Sequence, residues 1–281
     1  MGNEYDEIGI WSEVKLAIIK DYLPAYTVIL DANRRRSARS LQWIYVDAYA
    51  GPGYHLSRAT GTTVEGSPLI ALGTKPPFFE YHFIDSDEWR VKQLRQLAGE
   101  RTDVFTHAKD CNEVLLKEIF PRVRFQDFRR AVCLLDPYNI DLSWDVIEAA
   151  GKMETIELFV NLMIMDINRN ALTRDPSKAR EAKVKQLTRL WGSDEWLDVG
   201  YDRQEDLFGD IHTTKVSNSR FAEAFQKRLK EVAGFKYVPT PMPMKNSTNS
   251  VIYFLYFAGH KSSASNIITD IFDKYRAKQG L

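Results

Sequence analysis

Short apolar runs alternate with amphipathic stretches along most of this chain, and this rhythm constrains the fold more than any other feature. The apolar runs fall at 43–47, 81–87, 103–110, 131–138 and 155–163. The segments between them have the apolar spacing of helices. Alternating strands and helices form right-handed crossovers and a mostly parallel sheet, whose central strands are apolar on both faces. The sequence therefore predicts an α/β fold.

The two ends of the chain extend this pattern. Residues 12–33 carry an apolar helical stripe that Pro24 is expected to kink. KYVPTPMPM and SVIYFLYFAGH, separated by KNSTN, are typical of a hairpin, and NIITDIFDKY of a final helix. We interpret 1–281 as a single domain, with an N-terminal helical extension at 1–42 and a helical insertion or cap at 170–235.

Composition excludes several classes of function. The 38 Lys and Arg balance 38 Asp and Glu, so no net field attracts nucleic acid or an anionic membrane, and such binding must be local. The N-terminus is acidic and the apolar runs are too short for a bilayer, so we expect a cytoplasmic protein without membrane contact. The two cysteines fit a reducing compartment, and the five histidines have no metal-binding spacing, so we expect no metal.

The segment YVDAYAGPGYH joins an apolar run to one carboxylate and two glycines. It is not a Walker loop, because no GK[ST] follows, and it fits G-x-G-x-x-G poorly, because a polar loop at 54–65 follows Gly51 and Gly53. What remains is D-x-x-x-G-x-G at a strand end, where Asp47 and Ala48 with the open glycine backbone suit a small cationic cofactor. S-adenosylmethionine has these properties. The alternative for Asp47 is a simple turn residue.

Carboxylates follow the next strands as well, at the edge where an open parallel sheet binds ligands. We expect Asp85 to bind the ribose hydroxyls of S-adenosylmethionine, and Asp110, with Cys111 beside it, to accept from the adenine amine. Helix capping is the alternative role for Asp85, Asp87 and Asp110. Cys133 lies inside an apolar strand and is interpreted as a small buried hydrophobe.

Asp136, Pro137 and Tyr138 end another apolar run. A carboxylate and a backbone carbonyl at a strand end can accept the hydrogens of an exocyclic amine, while an aromatic ring stacks on the base that carries it. The usual form of this motif, [DN]-P-P-[FYW], has a second proline that is missing here. One interpretation makes these three residues catalytic in amine methylation, and the other makes them a tight strand exit.

In order along the chain, YVDAYAGPGY, GSPLIAL, FIDSD, KDCNEVL and LLDPYNIDLSW, behind KLAIIKDYLPAY, resemble the three-Cys-motif partner proteins, a bacterial family with a class I methyltransferase-like fold. The resemblance runs from about Lys15 to Tyr138, and more loosely to the C-terminal hairpin. YVDAYAGPGYHLS with GSPLIA is also similar to the large-subunit ribosomal RNA adenine-N6 methyltransferases. The resemblance implies a Rossmann-like, mostly parallel seven-stranded sheet ending in an antiparallel hairpin, and S-adenosylmethionine as cofactor, but leaves the substrate open.

Two groups of residues bear on partners. One is a set of arginines that would form a phosphate-binding edge for RNA or DNA near the crevice, or else a solvated basic face: Arg34, Arg35, Arg36, Arg39, Arg122, Arg124, Arg129 and Arg130. The other is a set of aromatic residues that would stack bases or form the core of the insertion: Trp191, Trp196, Tyr201 and Phe208.

Three functions fit this sequence. The first is an S-adenosylmethionine-dependent methyltransferase acting on an exocyclic amine of a nucleic-acid base. The second is a non-catalytic or cofactor-binding partner of another enzyme, and the resemblance implies a three-Cys-motif protein in that role. The third is a methyltransferase for a small molecule or a protein.

Overall fold

The structure, a computed structural model, describes residues 6–37, 40–205 and 211–279. The strands are β1 (Asp6–Ile8), β2 (Gln42–Asp47), β3 (Tyr54–Ser57), β4 (Thr63–Glu65), β5 (Glu80–Asp85), β6 (Val104–Ala108), β7 (Arg129–Leu135), β8 (Ile156–Leu162), β9 (Tyr201–Glu205), β10 (Ile211–Lys215), β11 (Met242–Lys245) and β12 (Val251–Ala258). The helices are α1 (Ile10–Arg36), α2 (Ser67–Gly73), α3 (Glu88–Ala98), α4 (Cys111–Val114), α5 (Trp144–Met153), α6 (Ile164–Asn170), α7 (Glu181–Trp191), α8 (Trp196–Gly200), α9 (Asn218–Glu231) and α10 (Ser262–Gln279).

A seven-stranded sheet with the order β11-β12-β8-β7-β2-β5-β6 forms the centre of the molecule. Strands β8, β7, β2, β5 and β6 are parallel, β12 is antiparallel to β8, and β11 is antiparallel to β12. Every apolar run of the sequence forms one of these strands, because both faces of the central strands are buried. The predicted α/β fold, with a mostly parallel sheet and a C-terminal antiparallel hairpin, is confirmed.

Helices cover both faces of the sheet. Helices α1, α2 and α10 pack on one face, where the Tyr22 ring lies 5.1 Å from that of Phe159. Helices α5, α7 and α9 pack on the other, where the Phe225 ring lies 5.2 Å from that of Tyr256. Helix α1 runs through Pro24 without a break, because buried apolar neighbours on both sides outweigh the usual proline penalty of about 3 kcal/mol. No helix in the described ranges is long and apolar enough to cross a bilayer.

Two regions differ from the sequence predictions. The expected loop at 54–65 contains β3 and β4, which form a three-stranded sheet with β1 in the order β1-β3-β4. The expected helical insertion at 170–235 contains α7, α8 and α9, but also the β9–β10 hairpin. Polar side chains dominate these short strands, so no apolar alternation marks them in the sequence.

Candidate cofactor and active site

The carboxyl ends of the parallel strands bring the predicted site residues to one edge of the sheet. Asp47 ends β2, Asp85 ends β5, and Asp136 follows the last residue of β7. Strands β7, β2 and β5 are neighbours in the sheet, so these three carboxylates share one edge. Asp110 follows β6 at the same edge. This is the edge at which open α/β sheets bind their ligands.

The loop after β2 depends on its two glycines. Gly51 and Gly53 have φ angles of +65° and +93°, in the region that favours glycine. A Cβ atom on Gly53 would lie 2.3 Å from Cδ1 of Leu97 on α3, so a side chain here would displace Leu97 in addition to straining the backbone. A Cβ atom on Gly51 would lie 3.5 Å from Cε1 of His55, which is an ordinary van der Waals contact, so only the positive φ requires glycine there.

Asp47 is fully buried and only half satisfied. The Tyr45 hydroxyl donates to Oδ2 over 3.1 Å, whereas Oδ1 has no hydrogen-bond partner in the described part of the chain. Burial raises the pKa of Asp47 to about 6, although the Ser67 hydroxyl and the Lys15 ammonium lower it. Ala48, also buried, donates its N–H to the Leu134 carbonyl over 3.0 Å. A buried carboxylate with a free oxygen suits a cationic group in this loop.

Asp85 fixes the glycine loop. Its Oδ2 accepts the Gly51 N–H over 3.1 Å, its Oδ1 accepts the Asp87 N–H over 2.9 Å, and the Arg90 guanidinium lies 3.6 Å from Oδ2. Asp87 caps α3 by accepting the Trp89 N–H over 2.8 Å. Asp85 therefore joins the ends of β2 and β5, and Asp87 takes the capping role that its position allows.

Asp110 and Cys111 lie beyond Asp85 at the end of β6. Asp110 is exposed and caps α4, accepting the Glu113 N–H over 3.0 Å. Cys111 is only 5% exposed, and burial raises the pKa of its thiol to about 12. Cys133, in β7, is fully buried, as expected for a small hydrophobe. Both cysteines are free thiols.

A crevice of about 210 Å³ opens at this edge, between the N-terminal segment and the end of β7. Asp136, Pro137 and Tyr138 line it, together with Lys15, His55 and Ser67. None of the predicted cofactor residues is among its lining residues: Asp47, Ala48, Gly51, Gly53, Asp85, Asp110 and Cys111. The structure thus separates a glycine-loop side from a side built around Asp136.

Asp136 is held by two residues that the sequence analysis missed. The Lys15 ammonium, on α1, forms an ion pair with Oδ2, and the Asn161 amide, on β8, donates to Oδ1. Lys15 is only 8% exposed and shares a helix face with the buried Ile19 and Tyr22. A lone lysine on an apolar face and a lone asparagine in an apolar strand are the sequence signals that could have found them.

Tyr138 lies at the mouth of the crevice. This residue is 53% exposed, and the Arg90 guanidinium lies 4.7 Å from the centre of the tyrosine ring. Arg90 also pairs with Asp6 of β1 over 2.9 Å, so it connects the N-terminal strand to α3 across this ring. Burial lowers the pKa of His55, on the crevice wall, to about 4, so this imidazole is neutral at pH 7.

The arginine cluster lies at the opposite edge of the sheet from this crevice. Arg34, Arg35 and Arg36 end α1 just before β2 begins, and Arg129 begins β7, so they belong to the amino edge. The expectation that they lie near the crevice is wrong, because α1 runs antiparallel to the strand that follows it. Arg39 lies outside the described residues.

Several of these arginines already have acidic partners. Asp31 pairs with Arg34 and Arg35 over 3.2 and 2.6 Å, and Glu80 pairs with Arg122 and Arg129 over 3.1 and 3.0 Å. Pairing of this kind reduces the positive charge that the edge offers to a phosphate backbone.

The aromatic residues of the insertion are core residues. Trp191, Trp196 and Tyr201 are at most 6% exposed and belong to the apolar core on the α9 face of the sheet. They have no free face on which a base could stack. Phe208 lies outside the described residues.

No protein-family model matches the sequence, and no curated protein is significantly similar to it. Among solved structures, protein LPL1258 of Legionella pneumophila str. Philadelphia 1, assigned to DUF519, superposes with a TM-score of 0.51 at 10% identity over 95% of this chain and 91% of that one. A putative methyltransferase from Thermobifida fusca YX gives 0.44 at 12% identity, covering 90% and 80%. The methyltransferase domain of bacterial CtHen1 gives 0.39 at 8% identity, covering 86% and 99%.

The predicted Rossmann-like fold, with its mostly parallel seven-stranded sheet, is confirmed. The order and direction of the strands, with an antiparallel β12 inserted between β8 and β11, agree with it. At these identities the similarity concerns the fold, and the chemistry has to be argued from the residues of the site.

Proposed function

We propose that this protein is an S-adenosylmethionine-dependent methyltransferase that modifies an exocyclic amine of a nucleic-acid base. The observation that supports the proposal is that two groups of residues lie at the same edge of the sheet. One group is the glycine loop with the half-satisfied Asp47, and the other is the crevice lined by Asp136, Pro137 and Tyr138. A methyl donor and an acceptor need adjacent seats of this kind.

The glycine-loop side fits the cofactor. Gly51 and Gly53 would let the backbone approach it closely, Asp47 would offer a carboxylate oxygen near its charged end, and Asp85 would face its ribose. Asp110, with Cys111, would face its adenine. S-adenosylmethionine, when bound, supplies an electrophilic methyl group. No residue of this chain then has to act as a nucleophile, which agrees with the buried, protonated cysteines.

The Asp136 side fits an amine. The Asp136 carboxylate and the Pro137 carbonyl would accept the two amine hydrogens, which turns the nitrogen lone pair toward the donor. Tyr138, half-exposed at the mouth, would stack on the base. Lys15 and Asn161 hold the Asp136 carboxylate in place. In the usual motif, a second proline would make this segment rigid. We infer that the contacts of Lys15 and Asn161 provide that rigidity here.

Calorimetric titration with S-adenosylmethionine and S-adenosylhomocysteine tests the cofactor seat. We expect saturable binding of both by the wild-type protein and at least tenfold weaker binding by Asp47→Asn. Asp87→Asn is the matched control, since asparagine caps a helix as well as aspartate does. Well-folded protein that binds neither compound would contradict the proposal and favour a non-catalytic partner protein.

Transfer of a radiolabelled methyl group to pooled RNA and DNA tests the substrate. We expect label in nucleic acid that Asp136→Ala reduces at least a hundredfold while cofactor binding is retained. Label that appears only in proteins or small molecules would refute the base-amine proposal. Cofactor binding without any transfer would refute catalysis and leave the partner function.

A further inference from the structure

A second cavity, of about 360 Å³, lies at the amino edge of the sheet, on the side away from the crevice. Helix α1, the segment at 125–130, the first residues of β8 and the start of α10 enclose it. Its walls are mostly apolar and aromatic and include Leu30, Phe128 and Ile156. Its size lies within the range of pockets that bind small molecules. The function proposed above makes no use of it.

Several polar side chains also line this cavity. Glu157 keeps partial exposure there and accepts the Tyr22 hydroxyl over 2.5 Å, and burial raises the pKa of its carboxyl group to about 7. Tyr26 is only 6% exposed, yet its hydroxyl has no hydrogen-bond partner within the described ranges. A buried polar group without a hydrogen-bond partner destabilises the folded protein. A ligand with polar atoms could satisfy such a group.

Two cations also line the cavity. Arg130 lies with its guanidinium 4.4 Å from the ring centre of Phe125, and its Nη1 donates to the Arg129 carbonyl over 2.7 Å. Neither Arg130 nor Lys261 has a carboxylate within ion-pair distance in the described part of the protein. The neighbouring Glu154 is paired with Lys236 over 2.9 Å. Arg130 is partly buried and Lys261 is exposed at the cavity. Cations without an ion-pair partner can bind an anion.

We propose that this cavity binds a small anionic heteroaromatic ligand of the nucleotide class. The ring would lie between the apolar walls, its N–H edge would donate to Glu157 near Tyr26, and its phosphate would meet Arg130 and Lys261. The site is distinct from the cofactor seat, because the two lie at opposite edges of the central sheet and the cavity shares no lining residue with the crevice. It does not depend on the proposed methyltransferase activity.

Calorimetric titration with guanosine monophosphate, in the presence and absence of saturating S-adenosylhomocysteine, tests the proposal. Guanine offers two adjacent donors to a carboxylate. We expect saturable binding that the second compound leaves unchanged. Arg130→Gln should weaken it at least tenfold and Tyr26→Phe about fivefold. Arg124→Gln is the matched control: it removes an arginine of the same edge that pairs with Asp127 over 2.6 Å outside the cavity.

Three results would overturn the proposal. One is the absence of saturable binding at millimolar nucleotide. Another is equally tight binding of inorganic phosphate and the nucleotide, which would show that the cavity binds only an anion and does not recognise the ring. The third is competition with S-adenosylhomocysteine, or weakening by Asp47→Asn, which would place the nucleotide in the crevice instead. Tyr26→Phe changes one oxygen atom, so it keeps the test valid if Arg130→Gln fails to fold.

Discussion

Replacing Asp47 with asparagine should change the stability of the protein in a pH-dependent way. Burial raises the pKa of this carboxyl group from 3.8 to about 6. A difference of about two units corresponds to about 3 kcal/mol, at about 1.4 kcal/mol per unit. Because the folded pKa lies above the unfolded one, this contribution to stability is fully present below pH 3.8 and is lost as the pH rises through 6.

Asp47→Asn removes this pH-dependent contribution to stability. Its side-chain oxygen can still accept from Tyr45, and its amide nitrogen takes the place of Oδ1, which has no hydrogen-bond partner in the described part of the chain. That loss is a constant offset of about 1–3 kcal/mol. The free energy of unfolding of the variant, relative to wild type, should therefore rise by about 2.5 kcal/mol between pH 4 and pH 8.

Urea unfolding at pH 4, 6 and 8, followed by tryptophan fluorescence, measures this difference. Asp87→Asn, at the exposed cap on the neighbouring strand end, should show no comparable trend. The reasoning would be refuted if the difference in free energy of unfolding between Asp47→Asn and wild type changed by less than about 0.5 kcal/mol over this pH range. It would mean that Asp47 ionises as readily in the folded protein as in the unfolded chain.

Three further substitutions test the packing around the site, each by urea unfolding. Lys15→Met should cost about 1–3 kcal/mol, because Asp136 loses its ion pair and keeps only the amide contact. Lys15→Arg should recover part of this loss. Equal stability of both variants and wild type would show that the ion pair does not contribute to stability. Gly53→Ala should cost at least about 1 kcal/mol, given a φ of +93° and a Cβ only 2.3 Å from Leu97 Cδ1, and a neutral result would show that the loop is free to move. Trp191→Ala should cost about 3–5 kcal/mol, because the ring is 2% exposed in the core, and a cost below about 1 kcal/mol would mean that α7 is not packed there.

The central sheet could be predicted from the sequence because burial on both faces leaves a direct trace. Strands β7 and β8 carry mostly apolar side chains on both faces, and Asp136 appears where the apolar run of β7 stops. The small sheet of β1, β3 and β4 leaves no such trace. Its strands have three or four residues and polar side chains, so backbone pairing and not apolar burial defines them.

The candidate site was predictable in part for a related reason. Residues that follow a strand, such as Asp47 and Asp136, can be located from the strand pattern alone. Lys15 is 121 residues away from Asp136 along the chain, and only the way α1 lies on the sheet brings them together. The position of the arginine cluster was missed for the same reason, since it depends on the direction in which α1 crosses the sheet.

Helix α1 makes polar contacts at both edges of the sheet, and β8 supplies one residue at each of them. Lys15 and Tyr22, seven residues apart, reach Asp136 at the carboxyl edge and Glu157 at the amino edge, and β8 supplies both Glu157 and the Asn161 that holds Asp136. These contacts span about 10 Å of helix and about 13 Å of strand. Inserting one residue between them would rotate one half of the helix by about 100° against the other. The lengths of α1 and β8 are therefore matched, and the sequence between these contacts can change in composition but not in length.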